Sequence, residues 1–324
     1  MIFQGEMLNS GDGMLTSVWG PAFWLFLHIV SFSYPLHPTS QDRENYREFM
    51  ELLVYVLPCR YCRENLVQNY KDFPLKTADF SDRRAFSTYV YALHERVNKQ
   101  LKKKVKLTYA EVKDRYDGFR LANGFNYKCQ VSIVPNRTGR KTHNIGRATR
   151  KTRPVEDESE MIPAVWGPAL WHVLHTISFN YPVAPTAADQ KNYAQFFRCL
   201  VHVLPLKAAR VNLAKAYGEE APAMESREAL SRYVFRLHER INGYLGARGG
   251  HTFEEVRERY EHFRARCRVN DPKTKKEGKG CTVPLYGKKA QCILNIVDKK
   301  VRQSKFRVAK TCKLKVCKSA KTSR

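Results

Sequence analysis

The feature that most constrains the fold of this chain is an internal duplication. When residues 18–58 are aligned with residues 165–205, 23 of the 41 positions are identical. Farther along the chain the offset falls from 147 to 144 residues and the match continues, for example between His94 and His238. Similarity of this extent marks two copies of one structural unit. We therefore expect two domains of the same fold in a chain of 324 residues.

Each copy has the hydrophobic periodicity of α-helices. Trp24 and His28 fall on one face of a first helix, which is expected to begin near Trp19 with Pro21 in its first turn. A capping-box pattern at Thr39 predicts the start of a second helix. Further helix starts are predicted at Asp82, Thr108 and Thr186. The predicted fold class is all-α, with a four- or five-helix bundle in each of two tandem copies.

The chain divides into five segments. They are a loose lead-in at 1–17, a first domain at 18–127, a flexible basic linker at 128–160, a second domain at 161–267 and a basic, cysteine-containing tail at 268–324. The tail contains eighteen Lys and Arg residues against three acidic residues, in a chain whose net charge is +26. Such a tail favours binding to polyanions such as nucleic acid, anionic membranes or acidic proteins.

Targeting segments are not evident in the sequence. The N-terminus has no basic segment followed by an apolar run, so we expect no signal peptide. No stretch approaches eighteen uninterrupted apolar residues, so we expect no membrane span. The nine cysteines therefore fit redox or metal chemistry better than a secreted disulfide scaffold.

The first copy contains one CxxC motif, formed by Cys59 and Cys62 between two helical segments. Pro58 suits the first turn of a helix, and the amides and dipole at a helix start lower the pKa of a cysteine thiol. Arg60 and Arg63 add positive charge at the same place. The motif therefore predicts a pair of thiols that exchange with other disulfides near neutral pH.

Two other interpretations of the CxxC motif stay open from the residues alone. It could be a structural or idle pair of thiols, or half of a zinc site, although zinc usually takes four ligands from two such pairs. We predict no metal site. The second copy has Leu206 and Ala209 at the equivalent positions and so cannot carry out dithiol chemistry there. A redox CxxC in a helical fold needs an electron acceptor, and a flavin is the obvious one.

Two pairs of residues indicate a pocket for a planar ring. Trp24 with His28, and His94 with Asn98, each lie one turn apart on the inner face of a helix. Indole and imidazole rings stack on planar groups, while His and Asn form hydrogen bonds at their edges. The alternative is that they are core residues, and the second copy keeps both pairs without its cysteines, which favours a partly structural role.

The remaining cysteines are less constrained by the sequence. Cys312 and Cys317 lie among lysines in the tail, and they are either incidental or a shuttle that passes electrons from a substrate to Cys59. Cys199 lies within a helical pattern and is expected to be a small buried apolar residue. The pairing of the others stays undetermined: Cys129, Cys267, Cys281 and Cys292.

Three motifs together carry a family resemblance. Residues 19–28 (WGPAFWLFLH), 57–65 (LPCRYCREN) and 93–101 (LHERVNKQL) resemble the Erv/ALR family of FAD-linked sulfhydryl oxidases, in the form encoded by large nucleocytoplasmic DNA viruses. The resemblance covers residues 15–122 in full and residues 162–266 as a degenerate copy. It does not extend to the linker or the tail.

The resemblance implies a helical bundle that binds FAD non-covalently beside the CxxC. By similarity, Cys62 is the sulfur next to the flavin and Cys59 is the sulfur attacked by an incoming thiolate. The residues that this resemblance places around FAD are Trp19, Gly20, Trp24, His28, Tyr34, His94, Val97, Asn98, Leu101 and Tyr116. It also implies an intrachain pseudo-dimer of the two copies, with a further homodimer as an option, and a place in the host cytoplasm, virus factory or virion.

The function that we predict is an FAD-dependent thiol oxidase. It forms disulfides in thiol-bearing substrate proteins, uses O2 as the electron acceptor and releases hydrogen peroxide. The alternative is a non-enzymatic scaffold whose basic tail binds nucleic acid or acidic virion proteins.

Overall fold

A computed structural model describes most of both copies and short parts of the linker and tail. The described residues are 13–103, 107–120, 131–133, 160–247, 250–267, 281–285, 292–296 and 306–308. Within these ranges the predicted fold class is confirmed, because each copy forms a helical bundle of the same design. The strands in these ranges all lie outside the two bundles.

The first bundle contains five α-helices and one 3-10 turn. They are α1 (Thr16–Phe32), α2 (Ser40–Val56), α3 (Arg60–Asp72), the 3-10 turn Thr77–Phe80, α4 (Arg83–Gln100) and α5 (Tyr109–Asp117). The predicted helix starts are confirmed: Thr39 and Thr108 each open a capping box, and the Asp82 carboxylate accepts from the backbone of the first turn of α4. Local signals alone therefore fixed where these helices begin.

The second bundle repeats the five helices of the first. Its helices are α6 (Pro163–Asn180), α7 (Ala187–Val203), α8 (Lys207–Glu219), α9 (Arg227–Tyr244) and α10 (Phe253–Glu261). The capping box at Thr186 is also confirmed. Four of the five pairs of corresponding helices have equal lengths, such as seventeen residues in both α2 and α7, and α6 is one residue longer than α1.

Two predicted details of the helix starts are wrong. Helix α1 begins at Thr16, so Pro21 lies in its second turn rather than its first. Helix α3 begins after Cys59, which is its N-cap, so Pro58 precedes the cap and is not in the first turn. In both places a proline lies near the start of a helix, but it does not identify the residue at which the helix begins.

The end of the expected lead-in is buried rather than loose. Met14 and Leu15 are both fully buried. The Met14 amide donates to the Pro58 carbonyl over 2.8 Å, and the Leu15 amide donates to the Phe263 carbonyl over 2.7 Å. This segment thus joins the loop before the CxxC helix to the end of the second bundle, a long-range pairing that no local pattern indicates.

Short strands occur in the predicted linker, at the end of the second domain and in the tail. They are β1 (Val131–Ile133), β2 (Ala265–Cys267), β3 (Cys281–Pro284), β4 (Cys292–Ile296) and β5 (Phe306–Val308). They form two antiparallel sheets, β1–β4–β5 and β2–β3. Strands of three to five residues are too short to show a clear alternation of apolar side chains, so this part of the prediction needs correction.

The two bundles pack as an intrachain pseudo-dimer, with α1 against α6 and α2 against α7. Equivalent residues of the two copies meet at this interface: Phe49 stacks on Phe196 at 5.9 Å, and Gln195 donates to Glu48 over 2.6 Å. Contact between equivalent residues is the property of a two-fold axis. A further homodimer of whole chains stays a prediction.

Two other contacts cross the same interface. The predicted buried cysteine, Cys199, is confirmed as buried, and its thiol lies 3.3 Å from the Glu48 carboxylate. His172 places a ring nitrogen 3.3 Å from the Val18 carbonyl. None of the helices in the described ranges combines the length and the apolar character that a membrane crossing requires.

Candidate redox and cofactor site

The CxxC occupies the start of α3. Cys59 is the N-cap residue, and its sulfur accepts a hydrogen bond from the Cys62 backbone amide over 3.2 Å. Cys59 is fully buried, Cys62 is partly exposed, and both are free thiols in this structure. A sulfur that caps a helix lies among unpaired backbone N–H groups, which favours its ionised form.

The two sulfurs have opposite electrostatic surroundings. The pKa of Cys59 is lowered, first by a hydrogen bond from the Cys62 thiol, then by the amides of Cys281 and Cys62 and the charge of Arg63, with burial acting against them. The pKa of Cys62 is raised because it donates to Cys59 and is itself buried. In the reduced pair, Cys59 is therefore the sulfur that ionises first.

The two predicted cationic neighbours behave differently. The Arg63 guanidinium donates to the Leu57 carbonyl over 2.7 Å and lowers the pKa of both cysteines. Arg60 instead forms an exposed ion pair with Glu64 at 3.2 Å and is not among the groups that shift either pKa. The sequence prediction for Arg60 therefore needs correction, because a side chain on the outer face of α3 points its charge into solvent.

A stacked cluster of rings joins α1, α4 and α5. The Trp24 indole lies parallel to the His94 imidazole, with centroids 3.9 Å apart and an interplanar angle of 6°. The His28 Nε2 and His94 Nδ1 atoms are 2.9 Å apart, which is hydrogen-bond distance. Tyr116 stacks on the other side of His28 at 5.0 Å. Four of the ten predicted cofactor residues thus touch one another.

The two imidazoles of the cluster are neutral at physiological pH. Burial lowers the pKa of His28 to about 3, and burial followed by the charges of His28 and Lys103 lowers the pKa of His94. A neutral imidazole carries one donor and one acceptor. The pair therefore keeps both kinds of hydrogen-bonding atom without placing a charge in an apolar site.

Two features of this cluster are relevant to ligand binding. The Nδ1 atom of His28 is buried and has no partner among the described residues. A Cβ atom placed on Gly20, one turn before Trp24, would meet nothing within 4 Å. An unpaired buried ring nitrogen and open space beside an indole are features of a site built to receive a further ring.

The other predicted residues of α1 and α4 surround the cluster without joining its stack. Trp19 is buried and donates to the Met14 carbonyl over 3.2 Å, which holds the segment that pairs with Pro58. Val97 and Asn98 lie one turn beyond His94, and Asn98 donates to a glutamate three residues earlier. Leu101 ends α4 and is 48% exposed.

Tyr34 lies in the core of the bundle, and the candidate shuttle cysteines are not described by the structure. Tyr34 is fully buried among Tyr46 and Phe86, and its hydroxyl donates to the Phe80 carbonyl over 2.9 Å, so its contacts are those of the bundle core. The candidate shuttle, Cys312 and Cys317, lies outside the described residues.

No pattern in the sequence indicates that Cys281 belongs to the site. Its backbone amide donates to the Cys59 sulfur, and Cys281 is itself disulfide-bonded and fully buried. Strand β3 carries it to the start of α1, where the Thr16 hydroxyl lies 3.5 Å from its carbonyl. In the β2–β3 ladder it lies opposite Cys267. Only long-range pairing of the tail with the bundle reveals this neighbour.

The fold and the site thus define a helical-bundle protein that has a dithiol at a helix start and a Trp–His stack in the same bundle. The family model described as the Erv1 / Alr family matches residues 21–117 and 168–276, which is more than half of the chain. The chain belongs to the Erv1 / Alr family. The two matched segments correspond to the two copies and agree with the resemblance carried by the motifs.

Curated relatives resemble parts of the chain. "Probable FAD-linked sulfhydryl oxidase R368" of Acanthamoeba polyphaga mimivirus is 37% identical over 93 residues, covering 29% of this chain and 64% of the relative. The mitochondrial FAD-linked sulfhydryl oxidase ERV1 of Saccharomyces cerevisiae is 30% identical over 99 residues, covering 31% and 49%. An FAD-linked sulfhydryl oxidase of African swine fever virus is 28% identical over 99 residues, covering 31% and 80%. The chain therefore spans less than two thirds of the mimivirus and yeast relatives.

Proposed function

We propose that the first domain is an FAD-dependent thiol oxidase that forms disulfides in substrate proteins. The observation that carries this proposal is the presence in one bundle of a helix-capping Cys59, whose pKa is lowered, and a neutral Trp24–His94–His28 stack. The names of the relatives, all FAD-linked sulfhydryl oxidases, support the same activity and cofactor.

The dithiol would carry out two exchange steps. A substrate thiolate attacks the Cys59 sulfur of the Cys59–Cys62 disulfide, and Cys62 leaves as a thiolate. A second substrate thiolate attacks the substrate sulfur of the mixed disulfide, and Cys59 leaves, so that the substrate gains a disulfide and the enzyme holds two thiols. A thiol with a lowered pKa is a better leaving group. The surroundings of Cys59 therefore favour the second step.

The ring cluster would hold the cofactor next to the reduced pair. Trp24 and His94 offer flat faces, and the unpartnered Nδ1 of His28 offers a hydrogen bond. Bound FAD would supply the two-electron acceptor that returns the dithiol to a disulfide and would pass the electrons to O2 to give hydrogen peroxide. The protein itself would keep the rings of the cluster uncharged and would hold the two sulfurs near them.

The burial of Cys59 limits how a substrate can reach it. Cys59 is fully buried, and the amide of Cys281 in β3 lies against its sulfur. A substrate protein therefore reaches Cys59 only when β3 moves aside, or through a thiol of the tail. The candidate shuttle Cys312 and Cys317 would act at this point.

The test of the proposed activity is oxygen consumption with dithiothreitol as the substrate. The purified protein should be yellow, and dithiothreitol should bleach it in the absence of oxygen. Cys59→Ala should abolish oxygen consumption, whereas Cys199→Ala, which changes a buried cysteine at the pseudo-dimer interface, should retain it. Wild-type oxygen consumption by Cys59→Ala would overturn the proposal.

The charge of the tail supports a second activity, the binding of a polyanion. Thirteen of the eighteen basic residues of the tail lie after Leu285, so truncation there removes most of the charge and keeps β3. Binding to duplex DNA should fall steeply with salt and should be lost in the truncated chain. Binding that is insensitive to salt, or retained after truncation, would exclude this role for the tail.

A further inference from the structure

The second bundle keeps the ring cluster of the first in nearly identical geometry. The Trp171 and His238 rings are stacked at 4.1 Å with an interplanar angle of 11°. The His175 Nε2 and His238 Nδ1 atoms are 3.2 Å apart, and Tyr260 stacks on His175 at 5.2 Å. Each distance lies within 0.3 Å of its counterpart in the first bundle, 3.9, 2.9 and 5.0 Å.

The agreement extends to every predicted cofactor position. Nine of the ten residues are identical in the second copy and the tenth changes from Val97 to Ile241, whereas only 23 of 41 residues are identical in the long aligned segment. The second-copy residues are Trp166, Gly167, Trp171, His175, Tyr181, His238, Ile241, Asn242, Leu245 and Tyr260. These ten positions have therefore diverged less than the long aligned segment.

The unpaired ring nitrogen and the open space at a glycine also occur in the second bundle. The Nδ1 atom of His175 is buried and has no partner among the described residues. A Cβ atom on Gly167, one turn before Trp171, would meet nothing within 4 Å. Burial lowers the pKa of His238 to about 4, so this imidazole is also neutral at physiological pH. A cluster kept only for packing has no need of an unpaired polar atom or an open side.

The second copy lacks the cysteines that would donate electrons, but it keeps the backbone geometry of the helix start that carries them in the first copy. Leu206 caps α8 with φ and ψ of −156° and 125°, close to the −160° and 116° of Cys59. Arg210 donates to the Leu204 carbonyl over 2.9 Å, as the equivalent arginine does in the first copy. Ala209 is smaller than the cysteine it replaces. The start of α8 therefore keeps the backbone and the cation of its counterpart in the first copy but has no sulfur.

We propose that the second domain binds a second FAD on the Trp171–His238 stack, and that this FAD exchanges no electrons with a dithiol of its own domain. This inference rests on the proposed function of the first domain. The second FAD would stabilise the domain that completes the pseudo-dimer, as any ligand does that binds only the folded state.

The first test is the number of flavins per chain. The full chain is saturated with FAD, freed of excess ligand and denatured, and the released FAD is counted against protein. We expect two FAD per chain. Under anaerobic conditions, dithiothreitol should remove about half of the visible flavin absorbance. One FAD per chain would overturn the second site, and complete bleaching of two would overturn its isolation from the dithiol.

Matched variants assign each flavin to its domain. Trp171→Ala should leave one FAD, all of which dithiothreitol bleaches, whereas Trp24→Ala should leave one FAD that resists bleaching. Gly167→Leu and Gly20→Leu test the same sites without removing a packed ring, because each adds a side chain to open space on a helix. Retention of two FAD by Gly167→Leu and by folded Trp171→Ala would overturn the assignment.

The outcomes separate this proposal from the proposed function. A single FAD that bleaches fully and is lost in Trp24→Ala would leave the oxidase intact and overturn only the second site. A protein that takes up no FAD would overturn both.

Discussion

The contact between Phe49 and Phe196 gives a quantitative test of the pseudo-dimer. The two rings are equivalent in the duplication, are 1% and 2% exposed and stack on each other at 5.9 Å. Truncation of a buried phenylalanine to alanine costs about 3–5 kcal/mol, and because the two sites are so similar, Phe49→Ala and Phe196→Ala should cost nearly the same. A stacked pair adds about 0.5–1.5 kcal/mol beyond burial.

The double variant should therefore be destabilised by about 0.5–1.5 kcal/mol less than the sum of the two single variants. The measurement is urea unfolding followed by far-UV circular dichroism, with the free energy of unfolding compared in all four proteins. Phe49→Ala combined with Phe253→Ala is the control, because Phe253 packs on Phe179 and Phe235 inside the second bundle. Additivity in the Phe49–Phe196 cycle would show that the two copies do not meet as the structure has them.

Three further predictions concern the electrostatics of the first domain. Arg63→Met removes a cation that lowers the pKa of Cys59, so alkylation of Cys59 by iodoacetamide at neutral pH should slow, while the exposed Arg60→Met should leave it unchanged. Cys281→Ser breaks the disulfide of β3 and so should free the amide that lies against Cys59. The pH–rate profile of the same alkylation should then move to higher pH, because the pKa of Cys59 rises. An unshifted profile would refute the role of that amide. Burial lowers the pKa of His28 from 6.5 to about 3, so the unfolded chain binds more protons between these values and stability falls as the pH drops through them. His28→Gln should remove up to about 1.4 kcal/mol per pH unit from that slope, and an unchanged acid limb in urea titrations would contradict the assignment.

Local and repeated signals in the sequence predicted most of the fold. The boxes at Thr39, Thr108 and Thr186 fixed helix starts because a cap involves residues only three positions apart. The ring cluster was predictable because Trp24 and His28 share one helix face. That His94 stacks on Trp24 depends on how α4 packs against α1, which periodicity restricts but does not determine.

What the sequence could not predict are contacts made across long distances in the chain. Met14 is buried because it pairs with Pro58, and Cys281 reaches Cys59 because the tail returns to the start of α1. Tyr34 was predicted from its residue type and motif to line a ring pocket. In the structure its hydroxyl donates to a carbonyl in the core of the bundle, a contact that the motif does not indicate.

The pseudo-two-fold axis explains why one copy could lose its sulfurs without loss of the fold. The helices that pair across the interface are α1 with α6 and α2 with α7, whereas the cysteines and their replacements cap α3 and α8. Replacing a capping sulfur by Leu206 costs one hydrogen bond to a helix amide, a loss of about 1 kcal/mol. That loss is small beside the burial of paired helices at the interface, so the second copy can support the first whether or not it carries out chemistry. Its ring cluster is nonetheless kept intact; we propose that a bound ligand is the reason, and the flavin count decides between that ligand and a role in packing alone.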